Sequence, residues 1–417
     1  MVGSKSVGVR YLPEGYIFDA SNSFISIKEG INKFYILGIL ASDLIDFLIK
    51  TFNPTINVTQ DDIHRIPIVY DNKIEEDFSK LIEEIVNLKK QLLSYKDKSK
   101  LFNIDLYTNH FKNKSLQQIV YEKFKIMNEL HRKINISNEI VFELYNISRK
   151  SRDAIYNELN NRRKIRYTNP PKSETEWRKN YLNKESAVDP LTYSEYVLQY
   201  QTIPESYLKE QIIILFNIYF GFIFNRWPSK VAKRNDGIVL INDSLLEDYL
   251  YDCIELTIGE EHLEKFLEED IPRVLKKDLL SWIVEDYFKE HSSYYENRPI
   301  YWHVCSPNKT FNALIYYHAL TSDTLYKLKS NYLKPMLENI REDLSFYREK
   351  MKTAGDKKQA KQFEKRVIEL EKQVDDLEAF DKQIDDIIAS GYEPDIDQGV
   401  LYNIKPLNPI LAKKIEK

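Results

Sequence analysis

Cysteine is nearly absent: Cys253 and Cys305 are the two in 417 residues, far apart and with no CxxC. That excludes a disulfide framework and a zinc site of the usual ligand spacing, and it fits a reducing cytoplasm. Glycine is scarce as well, eleven residues with no GxG pair anywhere, so no cofactor-binding glycine turn is present. No apolar run can cross a bilayer. The longest, Ile212 to Phe224, is interrupted by Asn217 and falls well short of the roughly 20 residues required. Residues 1–20 lack a basic start followed by an apolar core, so no signal peptide is visible. There is no basic excess either. At a net charge of -4, nucleic-acid binding would have to rest on a local patch.

What is present is a globular composition, 43% hydrophobic and 30% charged, in a chain long enough for two or three packed units. The abundance of Tyr, Ile, Lys and Asn reads as AT-rich coding rather than as selection for stacking. The organising stretch is residues 34–93. Phe34, Leu37, Leu40, Leu44, Ile45 and Leu48 follow a 3.6 spacing that predicts a helix ending at Asn53-Pro54. A polar turn at Gln60-Asp61-Asp62 and a short edge strand over Ile63 to Val69 are expected next. From Asp71, the residues Ile74, Phe78, Leu81, Ile85, Leu88 and Leu92 repeat at 4, 3, 4, 3 and 4, a seam built to pair with another helix.

An apolar "YILGIL" helix, a short loop, an "IPI" strand and a long spacer helix together resemble the closing segment of bacterial DNA target-recognition domains. Over more of the chain, YLPEGYIFD (Tyr11 to Asp19), Tyr35 to Pro67, RPIYWHVCSPNKTFNALIYYHAL (Arg298 to Leu320), YLKP (Tyr332 to Pro335) and YEPDIDQGVLYN (Tyr392 to Asn403) carry a narrower resemblance. It is to the C-terminal part of the PglX family, the adenine-specific DNA methyltransferases of BREX phage-defence systems.

The fold class expected is α+β and predominantly helical: small β-containing recognition units joined by long helices and an antiparallel coiled-coil hairpin. Residues 1–70 read as the C-terminal part of a β-rich target-recognition unit with a hairpin over Val7 to Phe18, as if the chain began partway through a larger protein. Residues 71–166, with neither Gly nor Pro from Asn72 to Asn169, read as a helical spacer jointed at Asp97 to Lys100 and Asn135 to Asn138. A basic linker (167–189) leads to a second α+β unit (190–322), with strands at Ile238 to Ile241, Pro299 to Cys305 and Ala313 to Tyr317. Residues 323–390 should form the hairpin, its seam interrupted at Asp381, and 391–417 an extended tail kept irregular by Pro394, Pro406 and Pro409.

From Ser148 to Tyr181 ten cations face four acids: Arg149, Lys150, Arg152, Arg162, Arg163, Lys164, Arg166, Lys172, Arg178 and Lys179, with Tyr156, Tyr167, Trp177 and Tyr181 interleaved. Such clustering is what phosphate contact requires. The bland alternative is a solvated helix end and a linker, broken at Asn169-Pro170-Pro171. Lys230, Lys233 and Arg234 add a second basic group. The candidate DNA-binding residues are therefore Arg149, Lys150, Arg152, Arg162, Arg163, Lys164, Arg166, Tyr167, Trp177, Arg178, Lys179, Lys230, Lys233 and Arg234.

No catalytic motif is found. Asn169-Pro170-Pro171-Lys172 matches three positions of an Asn-Pro-Pro-aromatic methyltransferase loop, but Lys172 replaces the base-stacking ring and no apolar strand leads in. Pro394-Asp395 lacks the Glu-x-Lys of a metal-dependent nuclease. His303 and Cys305 share a strand face, an arrangement more often core than ligand. The resemblance implies a module that chooses the DNA sequence, with S-adenosylmethionine and methyl transfer belonging to an N-terminal methyltransferase domain or subunit. No cofactor or metal is expected in this chain. Its partners would be double-stranded DNA, that catalytic part and other BREX proteins, with no membrane. The competing reading is a coiled-coil interaction scaffold of a defence or restriction-modification complex that does not touch DNA.

Overall fold

The computed structural model describes residues 7–13, 15, 24–55, 58–165, 169–227, 229–231, 234–241 and 244–415. It is predominantly helical α+β, with one small three-stranded antiparallel sheet. In chain order the first ten helices are α1 (Lys33–Leu40), α2 (Asp43–Phe52), α3 (Gln60–His64), α4 (Glu75–Ser94), α5 (Ile104–Phe111), α6 (Leu116–Leu144), α7 (Arg149–Arg163), α8 (Glu174–Asn180), α9 (Pro190–Tyr200) and α10 (Glu205–Ile223). Strand β1 (Ile238–Leu240) is followed by α11 (Ser244–Ile258), α12 (Glu260–Lys265), α13 (Ile271–Leu275), α14 (Leu279–Trp282) and α15 (Phe288–Tyr294). Then come β2 (Tyr301–Cys305), β3 (Asn312–Tyr316), α16 (Thr324–Lys327), α17 (Lys334–Lys352), α18 (Lys357–Ala389) and α19 (Val400–Ile404). Two compact units result, Met1–Asn103 with Gln117–Leu208, and Ile104–Leu116 with Lys209–Lys417.

The first unit is organised around the expected stretch, with three corrections. The helix over 34–52 is two helices. Ser42 accepts from the amide of Ile45 and starts α2 afresh. Residues 60–64 are helical rather than a turn, because Thr59 and Asp62 form a reciprocal capping box. The "IPI" segment is no strand. Pro67 has no amide to give, and the neighbouring backbone is satisfied by two tyrosines instead of a ladder: Tyr145 Oη donates to the Pro67 carbonyl (2.5 Å) and accepts from the Val69 amide (3.3 Å), while Tyr35 Oη donates to the Val69 carbonyl (3.3 Å) and accepts from the Asp71 amide (3.0 Å). The hairpin expected over Val7 to Phe18 lies partly outside the described residues, and residues 7–13 form no strand.

The first part of the seam on α4, Ile74 to Ile85, finds its partners within the unit. Phe78 and Ile82 are buried against α1, with Leu81 and Ile85 packed on the same core as Tyr35, Ile39, Phe142 and Leu159. Lys133 of α6 pairs with Glu84 at 2.9 Å. Gly38 lets α1 approach: a Cβ there would lie 2.6 Å from Ile82 Cγ1 and from the Phe78 ring. Gly38→Ala should therefore cost about 2 kcal/mol despite alanine's better helix propensity, read as a lower denaturation midpoint at unchanged slope. The expected joint at Asn135 to Asn138 does not exist, since α6 runs through it. The break falls at Tyr145–Ser148, where Asn146 takes a left-handed φ of 51°.

In the second unit the three strands expected near 238, 301 and 313 are present, in the order β1-β3-β2, with Ile238 opposite Ile315 and Val304 opposite Ala313. One face packs Trp302, Val304, Phe311 and Ile315 against Leu328, Leu333, Leu377, Phe380 and Ile384. Helices α17 and α18 return antiparallel, with Arg341 on Glu378 at 2.6 Å and Arg348 on Glu371 at 2.7 Å. Asp381, which interrupts the seam, is paired: Lys329 reaches it at 3.0 Å and also pairs with Asp385. The tail is not extended. Residues 396–410 are short helical turns whose Leu407 and Ile410 complete the core. They are tied by the fully buried Asn403, which donates to Tyr317 Oη (3.1 Å) and the Asp395 carbonyl (2.6 Å) and accepts from the Asp395 amide (2.6 Å). Leu411 then bridges Val304 and covers the edge of β2.

Candidate nucleic-acid interface

The basic segment is built on α7. Ser148 caps it, accepting from the Ser151 amide at 3.2 Å, and Lys164 ends it in a left-handed conformation (φ 59°). Ile155 and Leu159 anchor one stripe of a helix about 22 Å long (1.5 Å per residue) in the first unit's core, and the opposite face, from Arg149 to Asn161, is exposed.

Several of its cations are committed to the fold. Arg163 places one guanidinium nitrogen 2.6 Å from Asp43 and 2.8 Å from Asp46, in the first turn of α2. Burial opposes the Arg163 charge, but the two carboxylates more than offset it and raise its pKa. The same carboxylates accept from the Asn138 amide group (2.9 Å) and the Val7 backbone (2.7 Å), which makes a closed clamp. Arg152 pairs with Glu139 at 2.7 Å, donates to the Ile147 carbonyl at 2.9 Å and lies over the Phe142 ring. Arg162 pairs with Glu158 at 2.8 Å over Phe47. Arg178 pairs with Glu174 at 2.8 Å, holding that carboxyl below its usual range, but both are over half exposed and such a pair yields readily to a phosphate.

The aromatic half of the pattern is a correction. Trp177 is fully buried, ringed by Tyr181, Tyr193, Tyr196 and Tyr200 at centroid distances of 5.3 to 6.4 Å. It builds a local core and offers no face to a base. Tyr156 donates to Glu139 at 3.0 Å, and Tyr181 donates to the Asn169 carbonyl at 3.1 Å. The Pro171 carbonyl accepts from Tyr200 Oη at 2.6 Å, so the Asn169-Pro170-Pro171-Lys172 tetrapeptide ties α8 to α9.

The exposed cations of the segment, in no ion pair among the described residues, are Arg149 and Lys150 at the start of α7, Lys164 at its end, and Lys172 and Lys179 around α8. Arg166, Tyr167 and Lys233 lie outside the described residues. Lys230 is exposed on the second unit, whereas Arg234 there lies over the rings of Tyr249 and Tyr332 and donates its backbone amide to the Ile223 carbonyl at 2.7 Å. The clamp carboxylates Asp43 and Asp46 were not legible as Arg163's partners; their signal was two acids in the first turn of a helix. Among the described residues no group of three or more His, Cys, Asp or Glu is placed to hold a metal ion, and no helix is long and apolar enough to cross a membrane.

No protein-family model matches the chain. It is 22% identical over 446 residues to the adenine-specific methyltransferase BrxX of Escherichia coli O9:H4 (strain HS), an alignment covering 99% of this chain and 36% of that protein. It is 24% identical over 193 residues to the adenine-specific methyltransferase PglX of Lacticaseibacillus casei (strain Zhang), covering 43% of this chain and 16% of that protein. The chain is a distant homologue of adenine-specific methyltransferases. It spans about a third of the length of the first relative and about a sixth of the second.

Proposed function

We propose that this chain is the DNA target-recognition portion of an adenine-specific DNA methyltransferase of the BREX phage-defence type, with methyl transfer performed outside it. The observation that carries this is the end-to-end alignment with BrxX, which takes in 99% of the chain but only 36% of the relative. The absence of a GxG turn from this sequence agrees with a reading role. In this reading S-adenosylmethionine is bound by the catalytic part, and the exposed cations Arg149, Lys150, Lys164, Lys172 and Lys179 hold the duplex by its phosphates.

Fluorescence anisotropy with a labelled duplex at two salt concentrations tests this, on the chain alone and joined to a catalytic part. Binding should weaken with salt. Changing Arg149, Lys150 and Lys164 to Gln should reduce the log-log salt slope by up to about 3, near 0.9 per phosphate lost. No binding at low salt in either form would overturn the reading. Arg163 is left out of this set, because its pairing with Asp43 and Asp46 would mix an effect on the fold with one on binding.

A second reading, an interaction scaffold without DNA contact, is favoured by one observation: Arg152, Arg162, Arg163 and Arg178 are all acid-paired. Sedimentation separates the two. Concentration-dependent association indifferent to added duplex supports the scaffold.

A further inference from the structure

The α17–α18 hairpin is polarised along its length. At the tip Lys350, Lys352, Lys357, Lys358, Lys361 and Lys365 are all exposed, and none makes an ion pair among the described residues; the acids between them are Asp356 and Glu364, with Glu349 just before. From Glu369 to Asp386 the sign reverses: α18 carries eight acids against Lys372 and Lys382, and the pairing of four of them with Arg341, Arg348 and Lys329 still leaves the root acidic on balance. The root is held in the second unit's core by Leu377, Phe380, Ile384 and Ile387, whereas nearer the tip the hairpin has only its own small cluster of Leu344, Val367 and Leu370. From Leu377 back to Lys357 is about 30 Å of helix, so the basic end stands out from the body of its unit.

The fold gains little from this arrangement. Lys350 and Lys352 suit the last turn of α17, but Lys357, Lys361 and Lys365 repel one another at i, i+4 spacing, and Lys357 and Lys358 sit in the first turn of α18, where the helix dipole disfavours cations. A cost borne at several adjacent positions points to a partner that offsets it. Interfaces with proteins are depleted in lysine and centred on buried aromatic or arginine anchors. The exposed aromatic ring nearby, Phe346, instead lies under the Lys350 ammonium at 5.3 Å. Flexible lysines without a pocket suit a run of phosphates read as charge alone.

We propose that the hairpin tip is a second, sequence-independent contact for the phosphate backbone of duplex DNA. The acidic root is repelled from the same polyanion, so the hairpin approaches tip first and fixes how the second unit meets the duplex. This inference rests on the DNA-reading function proposed above.

The test is a salt series of duplex anisotropy on the full chain and on a variant with Lys357, Lys358, Lys361 and Lys365 all changed to Gln. These side chains are exposed, and unchanged thermal unfolding verifies that the variant folds. The expected result is a log-log slope shallower by about 3 to 4, at least a tenfold loss of affinity at low salt, and an unaltered ratio between cognate and non-cognate duplexes. If the unaltered chain binds duplex and the variant binds within twofold with the same slope, the tip proposal is overturned and the reading function stands. If the unaltered chain binds no duplex at any salt, both fall. Loss of binding to polyglutamate with duplex binding intact identifies an acidic protein partner and also overturns the proposal.

Discussion

Lowering the pH from 7 to 5 should destabilise the second unit by about 4 kcal/mol, because two imidazoles buried there as neutral bases cannot accept protons without leaving their places. His291 is fully buried. Its Nε2 accepts from the backbone amides of Ile300 (3.1 Å) and Tyr301 (3.2 Å), so the ring proton sits on Nδ1 and is donated to Asn217 Oδ1 at 2.7 Å. A second proton on Nε2 would point at two N–H groups. Burial, reinforced by the nearby Arg226 charge, lowers its pKa to about 3. His303 lies on the buried strand β2. Burial brings it to about 4 despite the opposing hydrogen bond to Asn312 Oδ1 (3.1 Å), with Lys309 adding to the depression. Because both folded values lie below the ordinary 6.5, the unfolded chain binds more protons at pH 5. The stabilisation is complete above about pH 7 and is lost as pH falls through 6.5 toward the folded values. At 1.36 kcal/mol per unit, 1.5 units below 6.5 cost about 2 kcal/mol for each ring. His318 and, in the first unit, His131 are lowered by burial in the same sense. The buried carboxylate Asp376, held by Ser306 Oγ (2.5 Å) and the amides of Asn308 and Thr310, is shifted down despite its burial, so its own loss of stabilisation falls below this window. Urea denaturation at pH 7, 6 and 5 measures the loss. Equal midpoints, or His291 and His303 resonances that titrate near 6.5, would sink the prediction.

The contrast between what was legible in the sequence and what was not follows the range of the interactions. The three strands near 238, 301 and 313 were legible because β-branched and aromatic runs bounded by turn residues carry their signal locally. The hairpin at 334–389 was legible for the same reason, its apolar spacing being a property of each helix alone. The segment at 66–71 misled, because "IPIVY" has strand chemistry while the partners its backbone takes, Tyr35 and Tyr145, come from distant positions. The tail misled in a related way. Three prolines argue against long helices but permit the single turns that Asn403 gathers from Tyr392, Asp395 and Tyr317. In the candidate site, charge density was visible and charge commitment was not. Arg149 and Arg163 look equivalent on paper, yet one faces solvent and the other closes a clamp onto carboxylates 117 and 120 positions away. The hairpin tip was within reach of a running charge count along the coil, a signal that apolar spacing alone passes over.

Arg163→Met should lower the stability of the first unit by about 3 kcal/mol, although a basic residue in a basic segment would ordinarily be taken for a surface contact. The side chains concerned are 28% exposed for Arg163, 17% for Asp43 and 7% for Asp46, so removing the cation leaves two carboxylates facing each other with little water to screen them. Their remaining partners, Asn138 and the Val7 amide, supply hydrogen bonds but no charge. Arg163→Lys should recover only part of the loss: the one guanidinium nitrogen that meets both acids sits at the end of a longer and more weakly hydrated side chain, and an ammonium would have to reach as far and shed more water. A double change, Arg163→Met with Asp46→Asn, should cost less than the sum of the single changes, since neutralising the acid removes the uncompensated charge. Lys164→Gln, one residue on and exposed, should leave stability within about 0.5 kcal/mol while weakening duplex binding. Denaturation midpoints and anisotropy on these four variants, on Asp46→Asn alone and on the unaltered chain separate fold from contact. If Arg163→Met unfolds at the wild-type midpoint and yet loses duplex affinity, the guanidinium touches DNA directly and the clamp is incidental. If it unfolds early and binds normally per folded molecule, Arg163 serves the duplex only by holding α7 against α2.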